Sequence, residues 1–446
     1  MQATPPVAWL TKWEKCGLGV LLAATLAFGG LVELRSAFLS RRMGDLGCYL
    51  RAAWAVRAGE DLYAITDDNH WHYNYPPLLA ILLVPLADPP AGTDAAGTVP
   101  YPVSVALWYG FNLLCLACAV HWLARALERT SADPAVRRLP AGCRRWWALR
   151  LIPVLACLTP IGHTLMRGQV NLLVLALLCA AAAALLRGRS GQAGLCLAVA
   201  TCLKVIPAFL VIFPLWKRDR RCLTGFALGL VIGLGLVPAA VFGPARALVH
   251  YRTWSEVLLR PALVGGPDQS RARELLAAPA TASQSLISTL HNTLHPDPDS
   301  RPWYPSPWLR AVAWLIGAVL TALTFLGAGR HARNGVGDVV VFGALILIML
   351  LLSPVCHRHY FCLAVPLVMG LTAAYWERRA FPKVDIGLAL VLTVNFVANS
   401  VSHLPGCEGL RDAGLGTYAA LLLWLTALVK LRRRPAFLGP QPALAA

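Results

Sequence analysis

The 446-residue chain is 57% hydrophobic and only 14% charged, with a mean hydropathy of +0.58. A soluble domain of this composition lacks the polar side chains to cover its surface, so the solvent it implies is a lipid bilayer. The formal net charge of +18 sits in short clusters between apolar runs, the pattern of cytoplasmic loops and not of a nucleic-acid-binding face.

Lys12 and Lys15 precede the apolar run 17–32, and no small-residue cleavage pattern follows. The expectation is a retained first helix. Long apolar runs without period-two alternation predict helices and not a barrel. Full spans of roughly 20 residues are predicted at 16–34, 103–124, 147–164, 170–186, 222–242, 308–328, 338–355, 359–375, 384–401 and 415–430. Basic clusters at 125–150, 187–189, 217–221, 330–333, 378–383 and 430–434 set the orientation, because Lys and Arg stay in the cytoplasm. That places 35–102 and 243–307 outside as two external loops of a single transmembrane catalytic domain, 1–446, with both termini inside. No sequence repeat relates the two halves, which weakens a transporter built from inverted repeats.

Two apolar segments do not fit a simple crossing. Basic clusters flank 192–216 at both ends, so it is expected to enter and leave from the same side as a broken hairpin. The turn falls near Lys204-Val205-Ile206-Pro207, where proline removes a backbone donor and disfavours helix before it. Segment 76–87 is too short to span and is bracketed by Pro76, Pro77 and Pro85; it is expected to dip into the outer leaflet. The fold class is therefore all-α and polytopic, with about ten full spans and two partial ones.

Thirteen cysteines are present, most of them inside apolar runs, where they act as small hydrophobes. The cysteines are not read as a zinc site, and no metal or other cofactor is expected. Cys48, Cys356 and Cys407 fall in segments assigned outside, where a disulfide is open.

The stretch GDLGCYLRAAWAVRAGEDLYAITDDNHWHYNYPP, from Gly44 on, follows the first span. Asp45 opens a short helix that Gly59 ends; it is either the cap of that helix or a general base at the membrane surface. Lys204 lies about 20 Å of helix from either basic end. A buried ammonium costs at least about 2.5–3.5 kcal/mol, so it should face an anion or a wet cavity. Ser353-Pro354-Val355-Cys356-His357-Arg358-His359-Tyr360 packs two histidines and an arginine between apolar spans, which suits a phosphate. His357 with His359, or His70 with His72, has the spacing of a metal pair on extended backbone, but no carboxylate accompanies either. Arg167 is a cation at the outer face or an ordinary loop charge. No Ser-His-Asp arrangement, P-loop, GxGxxG or DxD-type metal site stands in the right context, so nucleotide substrates are disfavoured. One carboxylate and several cations suit transfer of a sugar from a lipid phosphate: the acid takes the acceptor proton and the cations hold the departing phosphate.

These residues resemble glycosyltransferase family 87, the polyprenol-phosphate-mannose-dependent mannosyltransferases. GDLGCYLRAAWAVRAGEDLY with YNYPPLLAILLVPLA is similar to the family's first external loop. RGQVNLLVLALL, LCLAVATCLKVIPAFLVIFPLW, ASQSL and SPVCHRHYFCLAVPLV are similar to further landmarks in the same order. The resemblance spans nearly the whole chain. It implies a C-class glycosyltransferase fold with an extracytoplasmic active site in the plasma membrane. It implies Asp45 as catalytic base, and Lys204 and His359 at the donor phosphate; Arg358, His357 and Arg167, read from their charge at the outer face, are expected as further phosphate ligands. Tyr49, Tyr75, Gln169, Asn171 and Gln284 are expected at the substrate pocket. The expected partners are a polyprenyl-phosphate sugar donor and a lipid or glycan acceptor, with inversion at the anomeric carbon.

The chain departs from the family where His357 stands in place of a tryptophan and Tyr360 follows His359. It departs again at Ser283 and at His291-Asn292, and residues 88–100 read as an insertion. The rival readings are a transferase for another lipid-linked sugar and a transporter or flippase of lipid-linked glycans.

Overall fold

The computed structural model describes residues 7–39, 43–131, 134–263, 271, 282–329, 335–376, 385–402 and 404–432. The expected basic clusters at 330–333 and 378–383 lie outside these. Among the described residues there is no strand, only three isolated bridges.

Helix α1 (Lys12–Glu33) starts at a capping box in which Thr11 and Glu14 satisfy each other's first-turn amides. It lies against α4 (Tyr101–Thr130), where the Tyr109 hydroxyl donates to the Thr25 carbonyl at 2.8 Å. In the chain, α2 (Gly44–Ala58) and α3 (Pro77–Leu82) come between these two helices. Gly59 ends α2 in the left-handed conformation (φ 74), as the sequence led one to expect. The loop after α2 is held by buried Arg51, which donates to the Asp88 carbonyl at 3.1 Å and to Asp68 at 2.7 Å. Segment 76–87 folds as α3 and one 3-10 turn, Val84–Leu86, far too short to span.

The expected span 147–164 is broken. Helices α5 (Arg144–Ala156) and α6 (Leu158–Arg167) meet at 66°. Pro153 lies inside α5 and removes a ladder bond, and the Asn395 amide donates to the Ala156 carbonyl at 3.0 Å, satisfying one exposed by the bend. Helix α7 (Asn171–Leu186) then returns, and α8 (Ser190–Leu203) runs back toward the end where α7 began.

The hairpin follows. After Lys204 a 3-10 turn, Ile206–Val211, and a short helix, Ile212–Lys217, form a limb leading to α9 (Arg220–Phe242). Glycines fix the direction of α9. A Cβ on Gly225 would lie 2.3 Å from the Gly191 carbonyl oxygen, one on Gly229 2.5 Å from Ala198, and one on Gly233 2.7 Å from Cys202. The matched order means that α8 and α9 run parallel with backbones touching. The limb between them must therefore return to the end where α8 began, and Lys204 sits at its tip.

The rest completes the bundle: α10 (Pro244–Trp254), α11 (Leu286–Leu294), α12 (Pro307–Ala328), α13 (Val336–Leu352), α14 (Val365–Trp376), α15 (Ile386–Val401) and α16 (Leu415–Arg432). Helix α13 is buried nearly throughout, and the limb lies antiparallel along it through Phe213 on Phe342 at 5.6 Å and the Lys217–Asp338 ion pair at 2.5 Å. A helix occupies each of the ten expected spans. Among the described residues six are long and apolar enough to cross a membrane, or seven if the bent α5–α6 pair is one span. Helices α7, α13 and α15 are apolar but have only 16 or 17 residues. Among the described residues no two cysteines are joined in a disulfide.

Candidate active site

One cavity of about 320 Å³ opens where α2, α6, α7, α8 and α13 end. Asp45, Tyr49, Tyr75, Arg167, Gln169, Lys204, His357, His359 and Tyr360 line its polar side. Val205, Ile206, Trp254, Leu258, Leu259, Pro354 and Val355 line the rest.

Asp45 stands in the first turn of α2, where a helix dipole favours a carboxylate. It is not the cap: Met43 occupies that position without a side-chain bond, and the Met43 amide donates to the Tyr101 hydroxyl at 2.9 Å. The Asp45 carboxylate instead pairs with the guanidinium of Arg167. Arg167 is the last residue of α6, where the dipole favours a cation. Gly168 then turns the chain at φ 68, and a Cβ there would lie 2.6 Å from that of Leu46. Only glycine serves such a turn so close to α2. The Gly168 carbonyl accepts from the Trp108 indole at 2.8 Å.

The turn delivers Gln169 and Asn171. The Gln169 side-chain oxygen accepts from the Tyr49 hydroxyl at 3.0 Å and from that of Tyr75 at 3.5 Å. Tyr49 lies one turn beyond Asp45 on the same face of α2, and burial pushes the Tyr75 phenol above its ordinary range, so it stays protonated and can donate. Asn171 stands behind the cavity wall. Its side-chain oxygen accepts from the Lys204 ammonium at 2.7 Å, and its amide donates to the His359 carbonyl at 3.3 Å. Lys204 is only 4% exposed, and its ammonium sits 3.6 Å from the Tyr360 ring centre and 5.7 Å from that of Tyr75.

The segment after α13 is clamped from behind. The Ser283 hydroxyl accepts from the Cys356 backbone amide at 3.2 Å, and the Gln284 backbone amide donates to the Cys356 carbonyl at 2.6 Å. The ASQSL stretch is thus a brace. Gln284 does not line the cavity; its side chain bonds the Arg411 carbonyl and the Gly416 amide. His359 is 1% exposed and neither ring nitrogen has a hydrogen-bond partner. Its ring lies 4.7 Å from Tyr360, 5.5 Å from His163 and 5.6 Å from His357. Burial first, and then the Arg167 charge, push the His357 imidazole down to about 4.

Asp45, Lys204 and His359, distant in sequence, therefore share one pocket, with Arg167 and His357 beside them. Arg358 is not among the lining residues; it opens the 3-10 segment Arg358–Ala364 that follows His357. His72 and Trp71 line the pocket's edge, while His70 is held in a turn at φ 61. Among the described residues no three His, Cys, Asp or Glu are placed to hold a metal. At the departure His291-Asn292, Asn292 bonds Asp412, which Arg301 also grips at 2.6 and 2.8 Å, so these positions anchor the second loop away from the cavity. Sequence reasoning missed Trp254 and His163, and it treated Tyr360 only as an irregularity. The aromatic one residue past His359 was the available signal.

A model of glycosyltransferase family 87 matches residues 73–354. A polyprenol-phosphate-mannose-dependent alpha-(1-2)-phosphatidylinositol mannoside mannosyltransferase of Mycobacterium tuberculosis is 24% identical over 406 residues, covering 87% of this chain and 82% of its own. The protein of the same name from Mycolicibacterium smegmatis is 25% identical over 372 residues, covering 78% and 74%. The family match extends over well more than half of the chain, from Tyr73 through Lys204 to Ser353-Pro354: the protein belongs to glycosyltransferase family 87.

Proposed function

We propose that the protein transfers mannose from a polyprenyl-phosphate donor to a hydroxyl of a lipid or glycan acceptor, at the extracytoplasmic face of the plasma membrane. The observation that carries this reading is one cavity holding a carboxylate, a buried ammonium and an imidazole with both nitrogens unpaired, beside an apolar wall. The polar side suits a sugar phosphate and the apolar side a polyprenyl chain. The names of the relatives supply the donor; the acceptor they name is a phosphatidylinositol mannoside.

In this mechanism Asp45 takes the proton of the acceptor hydroxyl, whose oxygen attacks the anomeric carbon as the bond to the phosphate oxygen breaks. The phosphate leaves with one more negative charge than the donor carried. Lys204 and Arg167 meet that charge, and His359 offers it a ring N–H. Arg167 also holds Asp45 in place. One carboxylate in the pocket suits direct displacement with inversion.

The architecture proposed is the C-class one: ten crossings, with α3 and the Lys204 hairpin as partial ones, within a single domain. Its sidedness is supported by the charge distribution, since 187–189 and 217–221 lie at the end opposite the cavity. Asp45→Asn removes the base and keeps the size. Transfer of radiolabelled mannose from the lipid donor should fall by about 10²–10⁴-fold while the variant elutes as the native protein does. Full turnover by that variant would refute Asp45 as base. Glycolipid mass spectrometry after gene deletion separates the rival classes: a product lacking one sugar means transfer, an accumulated unflipped precursor means transport.

A further inference from the structure

At the far end of α4 from the active-site cavity lies a second concavity, of about 330 Å³. The 30 residues of α4 put roughly 40 Å between the two. Arg125 and Arg129 reach the second one from the last turns of α4, Arg137 from the turn Pro134–Arg137, and Arg145 and Arg150 from α5. Glu128 is the one carboxylate among the described residues that line it; Asp133 lies outside those residues. Arg150 takes Glu128 in two bonds, at 2.6 and 3.2 Å, and rests on the Trp146 ring at 3.8 Å. Five guanidinium charges against one carboxylate leave the described lining at a formal +4.

Topology alone does not require this. The bias that orients membrane proteins needs Lys and Arg in the right loops, but not their convergence on one concave space, where like charges repel. Two more features favour an anion. Cys143, the residue before α5, and Arg145 and Trp146 of its first turn line the space; the Arg144 amide is taken by the Ala8 carbonyl at 2.8 Å, but the dipole of that 13-residue helix still adds positive potential at this end. Guanidinium groups present paired N–H donors that match phosphate oxygens, and Val136, Leu139 and Trp146 add an apolar side. Basic pockets between helix ends are a recurrent way to hold phosphate headgroups.

We propose that this cavity is a binding site for a phosphate group, separate from the transfer site and at the opposite end of the bundle. It stands whether or not the transfer mechanism above is right.

The test uses the full chain in nanodiscs of phosphatidylcholine, with three arms: no addition, phosphatidylglycerol mixed into the disc, and inorganic phosphate in the buffer. Thermal midpoint and bound lipid by native mass spectrometry are read for three proteins. These are the wild type, the triple variant Arg125→Gln, Arg129→Gln, Arg137→Gln, and a control triple Arg218→Gln, Arg220→Gln, Arg221→Gln. The expected result is a rise in midpoint of several degrees in the phosphatidylglycerol arm, at least halved in the first triple and kept in the control. The same pattern with inorganic phosphate assigns the site to a soluble phosphate compound instead of a lipid. Equal loss in both triples, or no shift with either anion, overturns the proposal. Should the first triple misfold, Arg129→Gln alone gives the same comparison at smaller amplitude.

Discussion

An ammonium kept from water takes its surroundings as its solvent, and for Lys204 these are one amide oxygen at 2.7 Å and a phenol ring face at 3.6 Å. Neither is an anion. A desolvated charge so compensated costs stability and is kept for what it does. Lys204→Gln should therefore lower mannosyl transfer by about 10²–10³-fold with a thermal midpoint equal to or above the wild type. A lower midpoint with activity retained would make the lysine structural. His357 makes the opposite kind of statement. Its imidazole titrates near 4 against an ordinary 6.5, so between those values the unfolded chain binds the proton and the folded one does not. Stability is then lost as pH falls from 6.5 to 4, by about 3 kcal/mol at 1.36 kcal/mol per pH unit. His357→Gln should flatten that acid limb in a midpoint-against-pH series; an unchanged limb places the titration elsewhere.

At the level of elements, the site depends on a seam of glycines. Gly225, Gly229 and Gly233 recur every fourth residue along α9 and let its backbone lie on α8, as small residues do between membrane helices. Gly225→Val would drive a branched side chain into the Gly191 backbone. It should cost at least about 1–3 kcal/mol and lower midpoint and transfer together, because displacing α9 shifts the limb that carries Lys204. A variant as stable as wild type would show that the helices part without consequence. The hairpin itself was legible in the sequence, since basic residues at both ends of 192–216 and a proline in the middle leave few alternatives. The seam was equally visible as a spacing, but only the partner helix reveals what a four-residue glycine repeat packs against. The same limit explains Arg51 and Gln284. Arg51 is one more charge on a short helix and Gln284 reads as a pocket residue, until folding gives each the backbone carbonyls it serves.

Across the whole molecule, Asp45, Lys204 and His359 could be named from charge in an apolar context and from family likeness. Trp254 and His163 could not, because they lie in segments whose composition resembles any other amphipathic turn. The orientation proposed makes a direct claim on topology. A thiol placed by Asp94→Cys, on the exposed inserted loop, should react with a membrane-impermeant maleimide in intact cells, above the background of the native thiols. Arg218→Cys should react only after permeabilisation, and the reverse pattern inverts the sidedness. With α9 fixed along it, α8 acts as a ruler that sets how deep the charge is carried. Its 14 residues measure about 20 Å, and each added residue would carry the lysine 1.5 Å further and swing it by about 100°. Distance and bearing change together, so one inserted residue would aim the ammonium away from Asn171 with every side chain of the pocket still present.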